Sequence, residues 1–120
     1  METRSHIIHS FFSLAVKYPE RQNFTITELA KEANLTRQAI YRKHFDNTSE
    51  IIDYVHKKME SDLSASIENN INLLNKLSFF EFLSAAILPI AYKYKDWLIA
   101  LHTTSIDTSW TYALELKYQS

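Results

Sequence analysis

Between Thr36 and Phe45 the chain reads TRQAIYRKHF, in which Arg37, Arg42 and Lys43 stand among hydrogen-bonding side chains without a single acid. An arginine pairs bidentately with the edge of guanine and a glutamine with the edge of adenine. Arginine, lysine, tyrosine and histidine side chains also hold phosphate oxygens, which positions a protein on a duplex without reading its sequence. The chemistry that fits these residue types is therefore recognition of double-stranded DNA, not bond making. Position divides the roles. Arg37 and Gln38, at the start of a short helix, are placed to meet base edges, and Thr36 and Ala39 carry methyl groups suited to thymine. Tyr41, Arg42, Lys43 and His44 follow as phosphate anchors. Thr25 and Thr27, at the start of the preceding helix, offer backbone N–H groups to phosphate. The plain alternative for Arg37 and Gln38 is solvated surface, and for Tyr41 a packed aromatic.

These side chains need two helices to position them, and Thr25 to Phe45 predicts both. Thr25 and Glu28 form the T-x-x-E capping box that opens the first, whose buried face is Ile26, Leu29, Ala30 and Ala33. Asn34 is the turn residue, since asparagine tolerates the left-handed conformation better than other non-glycine residues. Leu35 anchors the turn, Thr36 caps the second helix and Ile40 points back to the core. A small residue at the crossing (Ala30), a turn residue four positions on and an apolar anchor six further are the spacings of a helix-turn-helix.

Around this pair the pattern is helical throughout. Residues 4–18 place Ile7, Phe11, Leu14, Ala15 and Tyr18 on one face, widened by Ile8 and Phe12, and Tyr18-Pro19 closes the helix. Asn47 and Glu50 open a fourth helix whose apolar run, Ile52, Val55, Met59, Leu63, Ile67, Ile71 and Leu74, is long enough for one element broken near Asn69-Asn70. Ser78 and Glu81 start a fifth, with Phe79, Phe82, Leu83 and Ile87, which Pro89 should kink or end. A short helix near Asp96 to His102 and a last one from about Asp107 complete the pattern, without repeats or a flexible linker.

Composition narrows the function classes. The 120 residues include no Gly and two Pro, and 46% are hydrophobic, which disfavours both disorder and a β-rich fold with its glycine turns. No Cys means no disulfide and no thiolate metal site, and suits the reducing cytoplasm expected as the location. The N-terminal METRSHIIHS lacks the apolar run of a signal peptide, and no apolar stretch approaches the ~18 residues of a membrane span. Residues 1–60 hold nine Lys/Arg against eight Asp/Glu and residues 61–120 four against six, so the bases of 36–45 form a local patch on a nearly neutral chain. His6, His9, His44, His56 and His102 include no i, i+4 pair and no carboxylate at ligand spacing. His6 and His9 are expected at the surface. No nucleophile–base arrangement or phosphate-binding glycine loop is present, so neither an enzyme nor a cofactor is expected. The aromatics Phe79, Phe80, Phe82, Tyr92, Tyr94, Trp97, Trp110, Tyr112 and Tyr118 fit either a ligand pocket or, the preferred reading, a helical core with a dimer face.

Thr25 to Ile52 resembles the DNA-binding region of regulators of the tetracycline-repressor (TetR) family. Their pattern is a helix with I-A-x-x-A-G-V, a Ser/Thr cap, a short recognition helix ending in Tyr-x-His-Phe, and a capped fourth helix. The matching pieces are Leu29-Ala30, Ala33-Asn34-Leu35, Thr36, Tyr41, His44-Phe45 and Asn47 to Ile52, within a stretch of roughly residues 7–60. Pro89 to Trp110, with Trp97 and Asp107-x-x-Trp110, resembles the ligand domain of some members more loosely. Asn34 replaces the usual glycine. Tyr41 and Phe45 are one residue further apart than usual, which calls for a longer recognition helix or a reshaped turn. Thr48 stands where members usually carry a phosphate-binding lysine.

The expectation is thus an all-α chain. Residues 1–47 would form a three-helix DNA-binding domain, and 48–120 a helical ligand and dimerisation portion joined through a rigid fourth helix. Ending at Tyr118-Gln119-Ser120 inside a helical pattern, that portion reads as incomplete or short beside the longer family members. The resemblance implies a repressor that acts as a homodimer on a near-palindromic site and is released by a small-molecule effector. The alternative is a helical interaction module that pairs with a partner without binding DNA.

Overall fold

The computed structural model describes residues 3–107. All regular structure among them is helical: α1 (Thr3–Lys17), α2 (Ile26–Ala33), α3 (Arg37–Tyr41), α4 (Thr48–Asn70), a 3₁₀ helix (Ile71–Asn75), α5 (Phe79–Lys93) and α6 (Lys95–Thr103). The last helix expected from about Asp107, with Trp110, Tyr112 and Tyr118, lies outside the described residues. The chain divides into two compact units. Asp53–Leu98 form one, and the described residues up to Ile52 and from Ile99 onward form the other.

In the first unit α2 packs against α1 and α3. Its largest fully buried side chains are Ile7 and Phe11 of α1, Leu29 of α2, Ile40 of α3 and Ile51 of α4. Each contributes about 1.5–3 kcal/mol by burial, well above what a surface ion pair supplies. The α1 face forms as its spacing predicts, except at Tyr18. The helix stops at Lys17, one residue before Tyr18-Pro19, so Tyr18 leaves the helical register and is half exposed. Its ring stands 6.4 Å from that of Phe24, with the Arg21 guanidinium 5.8 Å from its centroid. His6 also departs from the surface expected of it. Partly buried, it donates from Nε2 to the carbonyl of Ala33 at 2.7 Å, satisfying the C-terminal end of α2.

α4 starts as expected, with Asn47 Oδ1 accepting the Glu50 N–H at 3.1 Å. At Asn70 it gives way to the 3₁₀ helix. There the Asn70 side chain donates to the Ser66 carbonyl at 2.7 Å, competing with the backbone ladder. The far end of the apolar run, Ile71 and Leu74, is exposed and not buried. α5 is capped by Ser78, whose Oγ accepts the Glu81 N–H at 3.1 Å. It continues through Pro89 to Lys93, four residues beyond the proline. Pro89 has no N–H to offer the Ala85 carbonyl one turn before it. In this second unit Val55, Phe82, Ala86 and Tyr94 are buried, and Ser66 Oγ bonds the Ala86 carbonyl at 2.7 Å to join α4 to α5.

Candidate nucleic-acid interface

The turn between α2 and α3 is built from backbone bonds that the sequence encodes. Asn34 adopts φ 57° and ψ 44°, the left-handed conformation. The Leu35 N–H then reaches the Ala30 carbonyl at 2.9 Å and the Asn34 N–H the Lys31 carbonyl at 3.3 Å, the paired bonds of a Schellman motif. Upstream, the capping box is complete: Thr25 Oγ1 accepts the Glu28 N–H at 3.0 Å and Glu28 Oε1 accepts the Thr25 N–H at 2.9 Å. Downstream, Thr36 is extended and its Oγ1 accepts the Ala39 N–H at 3.1 Å.

With both ends fixed, the candidate residues distribute by the helical period. Ile40 is fully buried, which turns Arg37 and Gln38 outward; both are exposed. Thr36, Tyr41, Arg42 and His44 are exposed as well, and Ala39 and Lys43 are half-buried. Arg37, Arg42 and Lys43 form no ion pair with any described residue. The acids of α2 are already matched elsewhere. Glu28 takes a bidentate pair from Arg21, at 2.5 and 2.8 Å, and Glu32 accepts from Lys17 at 2.7 Å. The Arg21 guanidinium, 4.4 Å from the Phe24 ring centroid, and the Thr25 N–H together hold the Glu28 carboxyl down at about 2.

Between Tyr41 and Phe45 the chain makes a turn outside the helix. α3 ends at Tyr41. The Lys43 and His44 N–H groups then bond the Ile40 and Tyr41 carbonyls at 3.0 and 2.9 Å, and His44 crosses to φ 69°. That returns the chain inward, and Phe45 is buried.

The structure separates Thr25 from Thr27 and gives Thr48 a duty that the sequence reading missed. Thr25 spends its N–H and hydroxyl on the cap, so of the two threonines at the start of α2 it is Thr27, exposed and without an intrahelical acceptor for its N–H, that can meet an outside oxygen. Thr48 is buried, and its hydroxyl donates to the Phe24 carbonyl at 2.9 Å. No local pattern marks a contact between residues 24 positions apart.

The second unit holds a cavity of about 220 Å³, lined mainly by apolar groups of Met59, Leu63, Ile90, Tyr94 and Leu98, with His56 at its wall. Of the aromatics named from sequence, Tyr94 is the one that lines it among the described residues. The Tyr94 hydroxyl donates to Asp62 Oδ2, and Lys93 Nζ meets the same oxygen at 2.8 Å. These bonds lower the Asp62 carboxyl below its usual range and raise Lys93, while burial and then the bond to Asp62 raise Tyr94. The Trp97 ring centroid stands 4.9 Å from that of Tyr94.

Comparison with protein-family models, with curated proteins and with solved structures finds no match for this chain. Among the described residues no helix is long and apolar enough to cross a membrane, and no three His, Cys, Asp or Glu side chains gather as a metal site.

Proposed function

We propose that the chain is a sequence-specific DNA-binding regulator of the TetR type, a repressor that binds a near-palindromic site as a dimer. In this reading α2 and α3 are a helix-turn-helix. Arg37 and Gln38 read base edges, Thr36 and Ala39 contact thymine methyls, and Thr27, Tyr41, Arg42, Lys43 and His44 anchor phosphates. The observation that carries it is the placement of Arg37 and Gln38: exposed, in the first turn of a side-chain-capped helix, one left-handed turn after α2. The bases beside them are not matched by acids, which leaves their charge for phosphate.

A small, mainly apolar effector occupies the cavity of the second unit and releases the protein from DNA. Its lining by Met59 and Leu63 of α4 supports this route, because the first turn of the same helix follows the α3 turn in the chain. The test is selection of binding sites from genomic DNA with the whole chain. Recovery of a shared near-palindrome, its half-sites centred about 34 Å apart, supports the reading. A chain that dimerises yet enriches no site overturns it and fits a helical interaction module instead.

A further inference from the structure

We infer that the cavity of the second unit takes a primary monoamine with a compact apolar body, its ammonium held by Glu60. The inference rests on the reading of this cavity as an effector site and adds the charge that its occupant carries.

The walls are two helical stripes. On α4 they are His56, Met59, Glu60 and Leu63, and on α5 Ile87, Ile90, Ala91 and Tyr94, each set at i, i+3, i+4 and i+7. The α5 stripe is what a helix face turned to an apolar space requires. The α4 stripe departs from it, because Glu60 stands beside Met59 and Leu63 with a carboxylate at the cavity wall.

No base among the described residues pairs with that carboxylate, and no Lys or Arg among them lines the cavity. Lys58 and Lys93 are turned to Asp62, at 3.9 and 2.8 Å. Lys95 lies over the Tyr92 ring, 4.6 Å from its centroid. The Tyr94 hydroxyl has already given its proton to Asp62. Glu60 therefore keeps its acceptor oxygens for an occupant, and a carboxylate offers acceptors only. A primary ammonium supplies three donors and the opposite charge, an alcohol one donor and no charge, and a second carboxylate repulsion. Glu60 is exposed, so the ammonium stays at the cavity rim and keeps part of its water, which avoids the cost of burying an ion pair.

Size sets the body. The volume of about 220 Å³ holds roughly seven water-sized groups at ~30 Å³ each, the bulk of a heptyl chain or a benzyl group. Met59, unbranched and polarisable, adapts to either.

The experiment is calorimetric titration of the 120-residue chain, at neutral pH and low salt, with heptylammonium, heptanol and heptanoate. The three share one chain and differ in the charge of the head. The expected result is heptylammonium bound at least roughly threefold more tightly than heptanol, on the scale of a partly exposed ion pair, with heptanoate the weakest. Glu60→Gln should remove the preference for the ammonium and leave heptanol binding unchanged. Ala91→Phe, which fills the cavity from α5, should weaken all three. The charge preference is read from Glu60→Gln alone, at an exposed position, so it does not depend on how Ala91→Phe folds. Heptanol within threefold of heptylammonium, heptanoate bound most tightly, or a preference that survives Glu60→Gln overturns the inference and leaves the cavity reading standing. If none of the three binds, or if a folded Ala91→Phe binds them undiminished, the cavity reading fails and the inference with it.

Discussion

The hydroxyl of Thr48 donates to the Phe24 carbonyl, tying the first residue of α4 to the residue just before the capping box of α2. The site is buried, so neither group has water as a substitute partner. This contact assigns Thr48 a holding role.

Thr48→Val, which keeps the shape and leaves the Phe24 carbonyl unpaired, should cost about 1–3 kcal/mol in urea unfolding followed by circular dichroism. Thr48→Ser should cost about 1 kcal/mol or less, because the hydroxyl remains. Thr48→Lys should destabilise by at least as much as valine, since an ammonium is placed in a buried site. A lysine variant with wild-type stability would sink the assignment.

Glu28 makes the first unit sensitive to acid. Its carboxyl is held at about 2, below the ordinary 4.5, by Arg21 first and the Thr25 N–H second. A lowered folded value means that the unfolded chain takes up the proton earlier as pH falls. The contribution of the pair is therefore full above about 4.5 and lost between 4.5 and 2. The pair is partly exposed, so the loss is about 1 kcal/mol or less. Thermal unfolding of wild type and Glu28→Gln should differ at neutral pH and converge near pH 2. A constant gap across that window would show that the carboxylate charge is not what stabilises the cap.

Asn34 holds the left-handed turn without the glycine that such turns favour. Asn34→Gly should be neutral or slightly stabilising, and Asn34→Ala should cost about 1–2 kcal/mol, the penalty of a Cβ in that conformation. Urea midpoints for the two variants on opposite sides of wild type, or alanine alone below it, fit the turn. Equal losses would not.

What was legible in the sequence was local. Capping boxes, the asparagine turn and the break at Asn70 depend on residues within one helical turn, and the periodicity that names α1 and α2 also names their buried faces. Tyr18 failed because periodicity runs on past the residue where Pro19 has already stopped the helix. Pro89 does not end its helix, which runs on to Lys93. His6 to Ala33, Thr48 to Phe24 and Asp62 to Tyr94 join residues 24 to 32 apart, and no spacing rule reaches that far. In the candidate interface, the exposure of Arg37 and Gln38 followed from a buried Ile40, whereas the His44 turn required backbone geometry.

Tyr94 anchors the second unit through Asp62, a bond that Phe cannot make. Tyr94→Phe keeps the ring beside Trp97 and the cavity wall, and should cost about 1 kcal/mol. Tyr94→Ala removes the ring as well, and should cost about 3–5 kcal/mol and enlarge the cavity. Tryptophan emission during urea unfolding reads both, with Trp97 close to the lost ring. Equal losses would assign the whole contribution to the hydroxyl.

The proposed DNA-binding role assigns reading to Gln38 and anchoring to Arg42, and two substitutions test that division. Gln38 lies in the first turn of α3, while Arg42 follows its last residue. Gln38→Ala should relax preference at one base position of each half-site, at about 1–3 kcal/mol for the preferred base, with little change on unrelated DNA. Arg42→Ala should weaken binding to selected and unrelated sequences alike and reduce the salt slope by about one, because a phosphate contact releases a counterion whatever the sequence. The two effects are measured in one set of fluorescence-anisotropy titrations at several salt concentrations. If Arg42→Ala changes base preference and Gln38→Ala changes only the salt slope, the two roles are reversed, and the reading head lies at the His44 turn and not at the start of α3.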